Sequence, residues 1–249
     1  MRKRLALLAT AAVAFAVALP GGASAETSKS SNWAGYAVTS ADPAARLGYT
    51  SVSGSWVVPV ANCSASPASF SAFWVGLGGY SDTSQGLEQI GTESDCTAGG
   101  RATYGVWYEL VPAASVPVKL KVFPGNKISA NVTVKGQLVI VNLKNLTRKT
   151  SFTKRLFMAS PDVSSAEWIA EAPSACTSLG QCKTLPLANF GTVSFTSALA
   201  LAAGHGGTIA DAGWAATAIE LQAVTGAVPS ELSPDGGSFS VTWAAAVNS

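Results

Sequence analysis

Apolar and polar residues alternate with a period of two over long stretches of this chain. A segment patterned that way buries one face only as a β-strand. Val52, Gly54, Trp56 and Val58 alternate with Ser53, Ser55 and Val57. Ile128, Ala130, Val132 and Val134 alternate with Ser129, Asn131, Thr133 and Lys135, and Val118, Leu120 and Val122 with Lys119 and Lys121. Pro124-Gly125-Asn126 and Lys135-Gly136-Gln137 supply turns, and Phe239-Ser240-Val241-Thr242-Trp243 makes a closing strand. Helical signals are few: Asp162 to Ala166 can make one turn, and Ala198 to Ala203 a weak helix. Many short strands with closely spaced turns predict an all-β sandwich or barrel. No linker or repeat interrupts the pattern, which predicts one domain over residues 26–249.

The first 25 residues stand apart from that domain. Arg2, Lys3 and Arg4 precede an apolar run from Leu5 to Leu19, then Pro20, Gly21 and Gly22, then Ala23-Ser24-Ala25. This predicts a secretory signal over residues 1–25, cut after Ala25, in a run short for a bilayer span. Glu26 to Ser31 reads as a polar lead-in, too short to fold alone as an inhibitory pro-segment. No later run is long and apolar enough to cross a membrane. The signal takes three basic residues with it, leaving 13 Lys and Arg against 14 Asp and Glu. With that balance and no basic stripe, nucleic-acid binding gains no support. Charged residues make up only 12% of the chain, so little self-repulsion develops in acid.

Four cysteines in an exported chain predict two disulfides. Three pairings are possible. The favoured one joins Cys176 to Cys182 around a small loop and Cys63 to Cys96 around the Trp74 and Gln89 strands. A metal centre is not expected, because there is no CxxC and the single histidine is His205. No cofactor is expected either. A Ser-His-Asp site lacks a G-x-S-x-G elbow and would rest on His205 in a glycine-rich segment. Cysteine catalysis conflicts with an even, paired set, and no Asp-Thr-Gly or Asp-Ser-Gly is present. Two segments remain. Gly86-Leu87-Glu88-Gln89-Ile90-Gly91 puts an amide in a strand-like stretch. Ala166-Glu167-Trp168-Ile169-Ala170-Glu171 puts two carboxylates four residues apart, hence on one face of a strand. An amide and a carboxylate in one cleft can hydrolyse a peptide bond without serine, cysteine or metal.

Six blocks then carry a resemblance. Ser31-Asn32-Trp33-Ala34-Gly35-Tyr36 resembles the opening of mature glutamic peptidases, the eqolisin family. Phe73-Trp74-Val75-Gly76-Leu77, Leu87-Glu88-Gln89-Ile90-Gly91 and Val106-Trp107-Tyr108-Glu109-Leu110-Val111-Pro112 are similar to three of its strands. So are Ala166 to Glu171 and Asn189-Phe190-Gly191-Thr192-Val193-Ser194-Phe195, all in family order. The resemblance implies a concanavalin-like β-sandwich of two large antiparallel sheets with its site on the concave face. It places the catalytic glutamine on Gln89 and the catalytic glutamate on Glu171, with Trp74, Trp107, Glu109 and Glu167 as cleft support. Fungal members carry aspartates where Gly78 and Gly105 stand. Their absence predicts fewer carboxylates at the site, and so a smaller upward shift of the base.

Together these readings predict a secreted, monomeric endopeptidase acting on polypeptides at acidic pH. It would have no nucleic-acid partner, and no membrane partner once the signal is gone. The rival is a carbohydrate-binding or glycan-processing module on the same sandwich, or a family member without activity. Mass spectrometry of secreted protein is expected to find a mature chain starting at Glu26; a start well beyond Trp33 would remove both the cleavage site and the lead-in.

Overall fold

The computed structural model describes residues 25–245 except 43, 46, 66 and 178–180. The expected signal therefore lies outside the described residues, save Ala25. The first strands are β1 (Glu26–Ser30), β2 (Trp33–Ser40), β3 (Tyr49–Val57), β4 (Ala72–Gly78), β5 (Leu87–Cys96) and β6 (Ala102–Val111). Then come β7 (Val116–Val118), β8 (Lys127–Lys135), β9 (Leu138–Asn145), β10 (Thr150–Phe157), β11 (Ala166–Glu171) and β12 (Ser174–Cys176). The last six are β13 (Cys182–Thr184), β14 (Thr192–Ala202), β15 (His205–Gly207), β16 (Trp214–Leu221), β17 (Gly226–Pro229) and β18 (Phe239–Ala244). No helix occurs among the described residues.

One continuous path of hydrogen-bonded strands folds over into two layers. Its order is β10-β9-β8-β3-β14-β18-β17-β16-β2-β11-β4-β5-β6-β7. The half from β10 to β18 lies across from the half from β16 to β7, with β4 and β5 facing β3, β8 and β9. Along the path every pair is antiparallel. The period-two pattern is the cause: Val52, Trp56, Ile128, Val132, Val139 and Val141 all point between the layers and are buried.

Two indoles stitch the layers. Trp56 Nε1 on β3 donates to Thr92 Oγ1 on β5 at 2.9 Å, and Trp168 Nε1 on β11 donates to the Ser53 carbonyl at 2.7 Å. Gly54 sits where Trp168 needs room, since a Cβ there would lie 2.8 Å from Trp168 Cδ1. Gly35 on β2 has φ +145° and a Cβ there would fall 2.1 Å from the Trp168 carbonyl oxygen, so only glycine lets β2 lie this close to β11.

Four local expectations are corrected. Ala198 to Ala203 is not helical: β14 runs to Ala202, because Ala198, Ala200 and Ala202 are buried while Leu199 and Leu201 face out. Packing on β3 overrides alanine's helix preference, with a register shift between Thr196 and Leu199. The Val118 to Val122 alternation gives only the short β7, which contains Pro117, and Leu120 N turns back to the Val118 carbonyl. Glu26–Ser30 is a strand rather than a lead-in, running parallel to β16, because main-chain pairing there needs no apolar side chain. Finally, the cations do form a stripe, gathered on and around β7 to β10 by their sequence position.

Cys63 bonds to Cys96 and Cys176 to Cys182, across sequence separations of 33 and 6 residues. Cross-linking restricts the unfolded chain more for the longer loop, by about 4 kcal/mol against about 2 kcal/mol at these lengths. In denaturant titrations the Cys63→Ala/Cys96→Ala double variant is therefore expected to lose more stability than Cys176→Ala/Cys182→Ala, by about 1.5 kcal/mol.

Candidate active site

The pleat of β11 divides its six residues. Ala166, Trp168 and Ala170 enter the core between the layers, while Ile169 joins an outer cluster with Ala37, Ala72, Trp74, Leu87, Trp107 and Ile219. Glu167 and Glu171 share the parity of Ile169, so they lie on that outer face. Register then builds the site row by row. Glu167, Gly76, Gln89 and Glu109 lie directly across from one another on β11, β4, β5 and β6. In the next row stand Ile169, Trp74, Gly91 and Trp107, and in the third Glu171, Ala72, Glu93 and Gly105. Gln89 and Glu171 are thus diagonal corners of one patch, with the indole of Trp74 between them. That ring reaches the first row, where its Cζ3 would lie 2.9 Å from a Cβ on Gly76, and its Nε1 reaches the third.

Glu171 is held from three sides. Trp74 Nε1 donates to Oε2 at 2.7 Å and Asn32 Nδ2 to Oε1 at 3.1 Å. Trp33 packs edge-on against Trp74 with centroids 5.0 Å apart. Burial pushes the carboxyl up to about 7, and the nearby charge of Glu109 adds to that, against the three donors that favour the anion. Gln89 is buried at 3% exposure, and its Nε2 donates to Glu109 Oε2 at 2.7 Å. Its Oε1 has no hydrogen-bond partner among the described residues. Burial also raises Glu109, while the Gln89 hydrogen bond opposes it.

All four support residues are on this face, but Glu167 does not open to it. It is fully buried, and neither carboxyl oxygen has a hydrogen-bond partner of good geometry. Burial holds its pKa well above the usual range. Glu88, on the opposite face of β5, is likewise fully buried; its Oε1 accepts from Asp162 N at 3.1 Å and burial pushes it up to about 8. With its pKa near 8, Glu88 is mostly protonated at neutral pH.

Carboxyl-bearing side chains lie beside both glycines, while the carboxylate that acts on Glu171 is that of Glu109. A Cβ on Gly105 would lie 2.2 Å from Glu93 Oε1, and a Cβ on Gly78 would lie 2.5 Å from Asp162 Cβ. Glu93 and Asp162 therefore fill the space over both glycines. The upward shift of the base comes first from burial, with Glu109 as the like charge that adds to it. Glu93 escaped the sequence reading, although its signal was there: it is four residues after Gln89 on one strand, as Glu171 is after Glu167. Among the described residues no group of three His, Cys, Asp or Glu is arranged to hold a metal ion. His205 contacts Asp211 at 2.9 Å on the exposed β15, on the layer that lacks this patch.

One sheet face thus carries a half-buried carboxyl, a buried amide and two indoles. The Peptidase A4 profile matches residues 31–243. The chain belongs to the Peptidase A4 family. Solved structures agree. Scytalido-glutamic peptidase, crystallised with a peptide-based transition-state analogue, is 27% identical at a TM-score of 0.67, covering 86% of this chain and 98% of its own. SCP-B, a member of the eqolisin family in complex with the tripeptide Ala-Ile-His, is 25% identical at 0.63 over the same shares. Aspergilloglutamic peptidase from Aspergillus niger is 25% identical at 0.58, covering 70% of this chain and 99% of its own. No curated protein matches the chain. This A4 chain is accordingly a glutamic-type endopeptidase, a hydrolase of peptide bonds, on an all-β sandwich.

The protonated carboxyls of the A4 fold set its pH response. A carboxyl whose pKa is raised on folding stabilises fully below its unfolded value near 4.3 and loses that contribution as pH rises to its folded value. For Glu88 the window runs from about 4.5 to about 8, on the order of 4 kcal/mol between pH 5 and 8. The melting temperature is therefore expected to rise as pH falls from 8 to 5. Glu167→Gln, which keeps the shape without the ionisable group, should flatten that rise; an unchanged slope in Glu88→Gln and Glu167→Gln alike would contradict it.

Proposed function

We propose that the peptidase works by direct attack of water, with Glu171 as general base and Gln89 as oxyanion donor. The observation that carries this reading is the fixing of the Glu171 carboxylate by Trp74 and Asn32 beside a buried amide held by Glu109. Each Glu171 oxygen that accepts one hydrogen bond keeps a lone pair for water. The carboxylate takes a proton from that water, and the hydroxide adds to the substrate carbonyl. Gln89 Nε2 spends one hydrogen on Glu109 and aims the second at the developing oxyanion. Protonated Glu171 then gives its proton to the leaving amine, the C–N bond breaks, and the carboxylate returns to its starting state. Trp74 and Trp107 wall the cleft and keep bulk water from the carboxyl.

The pH profile follows from these groups. The base must be ionised, so kcat/KM falls on the acid side of about 7. On the alkaline side the fold itself weakens as Glu88 and Glu167 lose their protons. The working range is centred near neutrality, milder than the acidic optimum expected from sequence. Secretion fits the signal-like leader and the two disulfides.

Digestion of denatured protein across pH by wild type and variants tests this. Gln89→Ala should lose about 100- to 1,000-fold in turnover, as for removal of one oxyanion donor. Glu171→Gln should lose about 100- to 10,000-fold, the range for a general acid–base group. Glu167→Gln should retain activity. Glu109→Gln removes the like charge beside Glu171, so the acid limb should move to lower pH. Wild-type digestion by Glu171→Gln at any pH would end this mechanism and return the sandwich to a binding role.

A further inference from the structure

Charge on this chain is segregated. Nine of its 16 Lys and Arg lie between Glu109 and Asp162, and no Asp or Glu lies there. The nine side chains are exposed. Among the described residues the one ion-pair contact is His205 with Asp211, so no acid of this chain neutralises them. The fold then concentrates four. β7 and β10 end the strand path, and their edges approach where Tyr108 of β6 stacks on Phe152 of β10, centroids 5.9 Å apart and planes 19° apart. Over these rings runs an open groove of about 530 Å³, with Lys119 and Lys121 from one layer and Arg148 and Lys154 from the other. Arg148 is steadied over the Phe123 ring at 5.1 Å.

We propose that this groove binds a linear polyanion of linked phosphates without nucleobases, and that it tethers the peptidase to such a polymer. Four cations along an open trough match successive charges on an extended chain better than one compact anion. The two rings in the groove are stacked on each other, so neither offers both faces to a base, and recognition rests on backbone charge. Linked phosphates keep that charge in acid, where a carboxylate polymer loses it. Occupancy leaves the peptidase cleft open, because alternate residues of β6 serve the two: Glu109 faces the cleft and Tyr108 the groove.

The test titrates the whole protein with inorganic polyphosphate over a range of salt. Four contacted phosphates predict a log–log slope of about −3. Lys119→Gln/Lys154→Gln should weaken binding about tenfold at low salt and make the slope shallower by about 1.4. Its hydrolysis of an uncharged peptide should equal wild type, which also verifies folding. Lys29→Gln/Lys183→Gln, outside the groove, should bind as wild type. The proposal is overturned if both double variants lose binding equally or if polyphosphate does not bind. It is equally overturned if phosphatidylglycerol vesicles bind and polyphosphate does not. Single-stranded DNA of equal phosphate count binding more than about tenfold tighter would show that bases are read, and would overturn it too.

Discussion

Trp168 and Glu171 are three residues apart on β11, and the pleat sends them to opposite faces of one sheet. Trp168 locks the layers by donating to the Ser53 carbonyl, and Glu171 lies in the cleft. A slip of one residue would bury Glu171 between the layers and expose Trp168. The register is therefore the constraint on which both core and site depend. It is enforced on both sides: by Gly35 of β2, which no other residue can replace at that approach, and by β4, where Trp74 faces Ile169. The indole of Trp74 then converts register into chemistry, since its nitrogen reaches the Glu171 carboxyl only while the rows stay aligned.

Burial, more than mutual repulsion, governs the carboxyls of this layer. It is the largest cause of the upward shift at Glu88, Glu93, Asp95, Glu109, Glu167 and Glu171. These groups sit on β5, β6 and β11, on both faces of the layer, where packing against buried neighbours keeps them from water. The space over Gly78 and Gly105 carries carboxyl-bearing side chains from elsewhere in the chain, Asp162 and Glu93.

Much of this was legible in the sequence because the information was local. Period two at Val52–Val58 and Ile128–Val134 sets strands and their buried faces, and Gly136 marks the hairpin between β8 and β9. The parity of Glu167 and Glu171 was readable as well. What parity could not say is which of the two faces the cleft: that depends on β4, where Gly76 and Ala72 differ in what covers them. The same limit explains Ala198 to Ala202, whose strand is dictated by β3 and β18 rather than by alanine. Glu93 needed the register of β5 against β4 and β6 before it could be placed opposite Ala72 and Gly105.

Net charge concealed the cations for a related reason, because a near-balanced sum says nothing about placement. The acids of β5, β6 and β11 are buried or half-buried and hold their protons to higher pH than usual. The cations of residues 119–155 are exposed. Near neutrality the molecule is therefore more positive than its formal count, and the excess lies on and around β7 to β10. Lowering the pH neutralises the carboxyls and leaves that face unchanged, so the charge asymmetry of the fold grows in acid. The acids gather on β5, β6 and β11 and the exposed cations on and around β7 to β10, so the strand path sets the two apart.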